Sequence, residues 1–294
     1  MLERLRIRPA VNASPARPGG SAAAGSDSRA KPDAPQRPPT VAITGAGGAL
    51  GQALLRRWHE RGAQLIALSH GDRPLRPLAV DGRPIPLRQQ RWRVGEEEAL
   101  RPLLNDVDVL VLNHGVNVHG QRDAEATWQS LEVNALSSWR LLELFADVVA
   151  QRQATLASAT PDGAPAARPG AEAWINTSEA EIQPALSPLY EISKRLIGQL
   201  LSLRAPRLKR HLRLRRLVLG PFRSALNPIG LMDADFVAAA ILRQADWGWN
   251  LIVVTPNPFT YLVMPLVTVS RWLYASLLCR QSDRQADRRE STSG

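Results

Sequence analysis

The stretch "TVAITGAGGALGQALLRRWHERG", residues 40–62, narrows the choice of fold more than any other part of the chain. Its first residues form a short, β-branched apolar run with no polar side, which reads as a strand covered on both faces. Its second half repeats apolar residues at helical spacing and closes at Gly62. The turn between them carries Gly45, Gly48 and Gly51. A glycine-rich turn from strand to helix lets backbone N–H groups and the helix dipole converge on one point, where a pyrophosphate can sit. Thr44, Gly45, Gly48, Leu50 and Gly51 are therefore candidate cofactor-binding residues.

The same alternation continues. "AQLIALS", "RQQRWRV", "VDVLVLN", "AWINTS", "LRLRRLVLG" and "NLIVVT" are further strand candidates, making seven with the first. Helical spacing separates them at "EEEALRPLL", "WQSLEVNALSSWRLLELFADVVAQ", "PLYEISKRLIGQLLSL" and "DADFVAAAILRQA", the second of these read as one long helix. Strands alternating with helices define an α/β fold: a Rossmann-type doubly wound parallel sheet of about seven strands with helices on both faces.

That domain is expected over 40–257. Residues 1–39 are basic and rich in Pro, Ala and Ser, with too little apolar content to offset the entropy of ordering, and read as a disordered tail. They hold no apolar run of the kind a secretory signal needs, although an Arg-rich, acid-poor start would also suit a transit peptide. Residues 258–280 form an apolar C-terminal segment and 281–294 a polar tail. The single cysteine, Cys279, excludes an intrachain disulfide and fits a reducing compartment. The net charge of +10 lies partly in the tail and partly in "RLKRHLRLRR", 207–216, so it reads as a basic surface, and no nucleic-acid partner is expected.

After the second strand, an NAD site would place an acidic residue for the ribose 2′-hydroxyl, about 20 residues beyond the glycine turn. Ser69 and His70 stand there instead, with Arg73 nearby. A 2′-phosphate is then not repelled, which favours NADP over NAD as the cofactor.

Lys194 is one of three lysines in a chain that otherwise uses arginine, and it follows one of three tyrosines, Tyr190, by four residues. On a helix the two share a face. A compact ammonium beside a phenol favours the phenolate, so Lys194 is expected to lower the Tyr190 pKa from its free value of about 10 and make it a usable proton donor and acceptor.

Tyr190-x-x-x-Lys194, the glycine turn at 44–51, "NHG" at 113–115, Asn134 and "NTS" at 176–178 together resemble the short-chain dehydrogenase/reductase family, in family order over 40 to about 256. "LNHGVN", "EVNALSSWRLLELF", "NTSEAEIQPALSPLYEISKR" and "GPFRSALNPIGLM" further resemble the reductase half of cyanobacterial bifunctional sterol desaturase/short-chain dehydrogenase proteins. The resemblance implies that Tyr190 is the general acid/base, that Lys194 binds the nicotinamide ribose and polarises the tyrosine, that Ser178 hydrogen-bonds the substrate carbonyl, and that Asn134 positions a water. It also implies that Asn113, Gly115, Gly220 and Ser224 line the cofactor pocket. Four positions depart from the family pattern, one being Leu219, where proline usually precedes the glycine kept here as Gly220. Ala49 stands where many members have glycine, His114 replaces the usual alanine, and Ser178 is one position nearer the tyrosine than is common, which leaves Thr177 as its rival.

The expected function is that of an NAD(P)H-dependent oxidoreductase interconverting a carbonyl and a secondary alcohol, on a small or lipid-like substrate. The alternative is a non-catalytic NADP-binding sensor or scaffold on the same fold. No metal is expected, since His114 and His119 are not spaced for one helical face. The expected location is cytoplasmic. Residues 259–279 leave three choices open: packing on the domain or in a homo-oligomer, peripheral attachment to a membrane, and a spanning helix, which Pro265 and Arg271 both weaken.

Overall fold

The computed structural model describes residues 37–159 and 170–290, the side chains of 159 and 278–290 excepted. The expected disordered tail lies outside the described residues up to 36, as do residues 160–169 and the last four residues.

The chain forms β1 (Thr40–Thr44), α1 (Ala49–Glu60), β2 (Gln64–Ser69), β3 (Arg88–Arg91), α2 (Arg101–Leu104), β4 (Val109–Leu112), α3 (Ala124–Leu131), α4 (Ser137–Ala159), β5 (Glu172–Asn176), α5 (Pro188–Leu208), β6 (Arg213–Leu219), α6 (Ala234–Asp246), β7 (Leu251–Val254) and α7 (Pro258–Glu290). All seven strands run parallel in the order β3-β2-β1-β4-β5-β6-β7. Each expected strand forms; the third covers only Arg88–Arg91, the polar half of "RQQRWRV".

The two-residue period of the strands divides the core into two layers. Val41 and Ile43 point to one face, where Leu54 and Leu55 of α1 meet Val237 and Ile241 of α6. Ala42 points to the other, among Leu141 and Phe145 of α4 and Ile197 and Leu201 of α5. Burial on both faces explains why β1 has no polar side.

After β3 the chain returns to the middle of the sheet and lays β4 against β1, with Val41 opposite Val109. The strand order reverses there, and the crevice beyond the carboxyl ends of β1 and β4 is where such sheets hold ligands. The glycine turn follows β1 and "NHG" follows β4, so both motifs open onto that crevice.

Two segments differ from expectation. The long helix is broken by a π-helical turn, Glu132–Leu136, between α3 and α4. The turn contains Asn134, whose side chain is drawn to the loop after β4 by hydrogen bonds with both the N–H and the carbonyl of Val116. At the other end, α7 runs unbroken to Glu290, so the apolar segment and the first part of the polar tail are one helix. Among the described residues no helix is long and apolar enough to cross a membrane.

Candidate active site

The glycine turn is shaped by its neighbours. Gly45 has φ of +62°, and a Cβ there would stand 2.9 Å from the Asn113 carbonyl oxygen. A Cβ on Gly51 would collide with the Gly45 carbonyl oxygen, so the turn lies flat against the start of α1. Gly48 begins α1 with no side-chain cap, and no acidic residue occupies the first turn. The leading N–H groups of the helix are thus left for an anion, which fits a pyrophosphate. Leu50 belongs to the site through its backbone alone, because its side chain is buried in the core.

Thr44 ties the two motifs together. Its Oγ1 accepts from the Asn113 N–H at 2.9 Å and the His114 N–H at 3.3 Å, and His114 Nδ1 lies 2.9 Å from the same oxygen. His114 Nε2 is 3.4 Å from Ser138 Oγ, and its ring meets Trp92 edge-on. Burial, with Lys194 nearby, pushes the His114 pKa down to about 3 and keeps the ring neutral. It therefore fills the place of the usual alanine as a hydrogen-bonded strut between β1, the turn after β4 and α4.

At the end of β5, Asn176 Nδ2 donates to Asn113 Oδ1 at 2.8 Å, and the Asn176 carbonyl accepts from Lys194 Nζ at 3.2 Å. Lys194 is 3% exposed, and burial lowers its pKa to about 8 against an opposing pull from Glu181. Lys194 Nζ lies 5.4 Å from the centre of the Tyr190 ring. Contrary to expectation, the Tyr190 pKa is raised: burial is the largest cause, and only hydrogen bonding with Ser178 opposes it. The spacing of tyrosine and lysine could not reveal that desolvation would outweigh the lysine.

Ser178 and Thr177 separate cleanly. Thr177 Oγ1 donates to the Leu217 carbonyl at 3.2 Å and is turned into the sheet. Ser178 Oγ accepts from Ala180 N at 3.2 Å and donates to the Leu219 carbonyl at 3.3 Å, and of the two hydroxyls it is the one that lowers the Tyr190 pKa. Asn134 has both ends of its amide engaged: Oδ1 by Val116 N, and Nδ2 by the Val116 carbonyl and Ser193 Oγ. Its side chain positions the loop carrying Gly115, where a Cβ would stand 3.0 Å from Asn134 Oδ1.

The remaining candidates are more dispersed. Gly220 makes room for Thr255, since a Cβ there would collide with that side chain. Ser224 Oγ accepts from Asn227 N at 3.2 Å, within its own turn. His70 is exposed at the end of β2. Ser69 Oγ accepts from Gln89 Nε2 at 3.0 Å, and the same Gln89 binds the Arg73 carbonyl and the Leu75 N–H. Gln89 thereby shapes a cleft of about 710 Å³ bounded by Ala46, Gly47, Gln52, Arg73, Leu75 and Arg76. Arg76 was missed in the sequence, where it is one arginine among many. No role was read for Asn176, Gln89 and Ser193, although Asn176 and Ser193 stand inside the quoted "NTS" and Tyr-x-x-x-Lys motifs.

A parallel seven-stranded sheet with a glycine turn at its switch point, and a half-buried Tyr190 beside the buried Lys194, define a Rossmann-type fold with a dinucleotide-binding crevice. The chain belongs to the NAD dependent epimerase/dehydratase family, which matches residues 41–206. It is 40% identical over 242 residues to the monoglucosyldiacylglycerol epimerase of Synechocystis sp., a match that takes in 82% of this chain and 55% of the relative. The chain thus spans about half the length of the curated relative it matches. Among solved structures, a short-chain dehydrogenase from Sphingobium yanoikuyae in complex with NADPH superposes with a TM-score of 0.62 at 17% identity, over 81% of this chain and 95% of that one. A short chain dehydrogenase from Burkholderia cenocepacia in complex with NADP gives 0.61 at 18% identity, over 83% and 99%. These likenesses show the fold.

Proposed function

We propose that this chain is an NADP(H)-dependent oxidoreductase acting on a secondary alcohol, and that it uses this chemistry to epimerise a hydroxyl of a sugar carried on a lipid. The observation that carries the reading is the convergence of Tyr190, Ser178 and Lys194 at the crevice beside the glycine turn. The name of the 40% identical relative supports the sugar lipid and the epimerisation. Arg73 and Arg76 beside the glycine turn support the 2′-phosphate of NADP over NAD.

When bound, the dinucleotide supplies the hydride acceptor and donor at its nicotinamide ring. It would be held at its pyrophosphate by the N–H groups after Gly48, and at its nicotinamide end by Lys194 and Asn113. Ser178 orients the substrate oxygen by a hydrogen bond. Oxidation starts from the Tyr190 phenolate, which takes the hydroxyl proton as the alcohol becomes a carbonyl; the resulting phenol returns it as the alcohol re-forms, so the two half-reactions leave no net change in protons. Lys194, fixed by the Asn176 carbonyl, places a positive charge where the phenolate appears. Epimerisation asks the same groups to act twice, on opposite faces of one carbon.

The test is conversion of monoglucosyldiacylglycerol with catalytic NADP⁺. An epimeric monohexosyl lipid with no net change in cofactor absorbance is expected, and one-for-one cofactor reduction would instead identify a simple dehydrogenase. Tyr190→Phe should lower turnover by about 10² or more, the scale of a general acid–base group. Turnover within twofold of the parent would remove Tyr190 from the chemistry. NADPH binding without turnover on sugar lipids, ketones or alcohols would leave the sensor reading.

A further inference from the structure

Helix α7 presents its apolar residues to solvent and its charge to the protein. From 258 to 279 its one charged residue is Arg271, and this turns inward to hydrogen-bond Glu181 at 2.8 Å. Thr260, Met264 and Ala275 are buried on the same side. Phe259, Leu262, Leu266, Val269, Leu273 and Leu277 all point outward and are exposed. Trp272 and Tyr274 border them, and at 100° per residue the exposed apolar arc covers about 200° of the helix. Apolar surface of that continuity marks a docking face.

The breadth of the arc decides what covers it. A second copy of α7 would cover a narrow seam of the kind two paired helices share and leave the flanks wet. A bilayer surface covers the whole arc of a helix lying flat on it, with aromatic residues at the margin. The sequence then continues as "RQSDRQADRRE", with four arginines against three acidic residues, in a chain of net charge +10. That charge complements an anionic lipid surface.

The face is also continuous with the candidate active site. Gln183 Nε2 donates to Thr260 Oγ1 at 2.8 Å, and Asn257 Nδ2 donates to Gln183 Oε1 at 2.7 Å. Thr260 Oγ1 further donates to Glu179 Oε2 at 3.2 Å. These bonds stitch the first turn of α7 to the segment that leads from Ser178 into Tyr190. Within that segment Leu186 has φ of +57° and is 94% exposed. A leucine held in the left-handed region with its side chain in water is strained and gains nothing from solvent. Ile229 and Leu231, in the segment after β6, are similarly exposed.

We propose that the outward face of α7, together with Leu186, docks flat on an anionic lipid bilayer and brings the mouth of the Tyr190 site to the membrane surface. A lipid-borne substrate would then reach Ser178 and Tyr190 without leaving the bilayer, a clause that rests on the proposed function, whereas the docking does not.

Flotation of the full chain with phosphatidylcholine vesicles, with and without phosphatidylglycerol and free of any sugar lipid, tests docking apart from catalysis. The chain should float with the anionic vesicles at low salt. Leu266→Glu combined with Leu273→Glu should reduce floated protein at least tenfold while far-UV circular dichroism and NADPH binding stay unchanged. Leu186→Asp tests the same surface without touching α7, and should weaken flotation as well. The proposal is overturned if the parent chain does not float, if both variants float like the parent, or if the α7 variant dissolves a dimer seen by analytical ultracentrifugation in a parent that does not bind vesicles.

Discussion

Lys194 Nζ stands 5.4 Å from the ring centre of Tyr190, one helical turn away on α5, and is anchored to the Asn176 carbonyl at 3.2 Å. Burial raises the Tyr190 pKa and lowers that of Lys194. Desolvation therefore keeps the proton on Tyr190 and works against the charge on Lys194, which Glu181 supports.

The first prediction concerns pH. Lys194 titrates at about 8, below its ordinary 10.5, in the protein without cofactor. As pH rises through about 8 the ammonium is lost, so cofactor binding and kcat/KM should fall. Stability should move the opposite way. Between the folded and unfolded pKa values the unfolded chain binds more protons, so stability rises with pH across that window. Urea unfolding and a pH–rate profile measure both slopes, and Lys194→Met should flatten the stability slope. A parent enzyme whose kcat/KM stays constant from pH 7 to 10 would contradict the assignment.

A second prediction concerns the cofactor. Arg73 and Arg76 bound the cleft that also contains Gly47 and Gln52. Charge-assisted hydrogen bonds contribute roughly 1.5–3 kcal/mol, so replacing both arginines by alanine should weaken NADPH binding by about tenfold or more. NADH binding should change less than twofold. Calorimetric titration of both cofactors decides this, and equal losses for the two would show that the arginines do not read the 2′-phosphate.

Much of the fold was legible because its signals are local. Val41 and Ile43 alternate with Ala42 in any parallel strand, and Gly45 is needed wherever a turn must press against the next strand. The π-helical turn was hidden because its partner, Val116, lies 18 positions before Asn134 and only the folded chain joins them. Spacing placed Tyr190 and Lys194 on one face, but could not show that burial would raise the tyrosine pKa. It also left Ser178 and Thr177 equal, until the register of β5 on β6 turned Thr177 toward Leu217. In α7 apolar residues occur on every side, so its sequence could not say which face turns inward. The counter-charge for Arg271 settles that, and it lies 90 positions away at Glu181.

That ion pair yields the last prediction. The Glu181 side chain is fully buried between Arg271, at 2.8 Å, and Arg216, at 3.7 Å. Gly198 of α5 admits it, because a Cβ there would collide with the carboxylate, and Arg216 is held in turn by the Gly198 carbonyl and Ser202. One carboxylate thus serves two buried or nearly buried guanidiniums from β6 and α7. Removing one partner of a buried pair costs roughly 3–5 kcal/mol, because the other charge stays in a low-dielectric site. Glu181→Gln should cost at least that, since it leaves two like charges facing each other. Arg271→Met should cost less, because Arg216 still faces Glu181. Urea unfolding of the two variants should therefore rank Glu181→Gln as the less stable. The reverse order, or a loss under about 1 kcal/mol for Glu181→Gln, would mean that water or neighbouring carbonyls already satisfy the guanidiniums, and that apolar contacts alone hold α7 on α5.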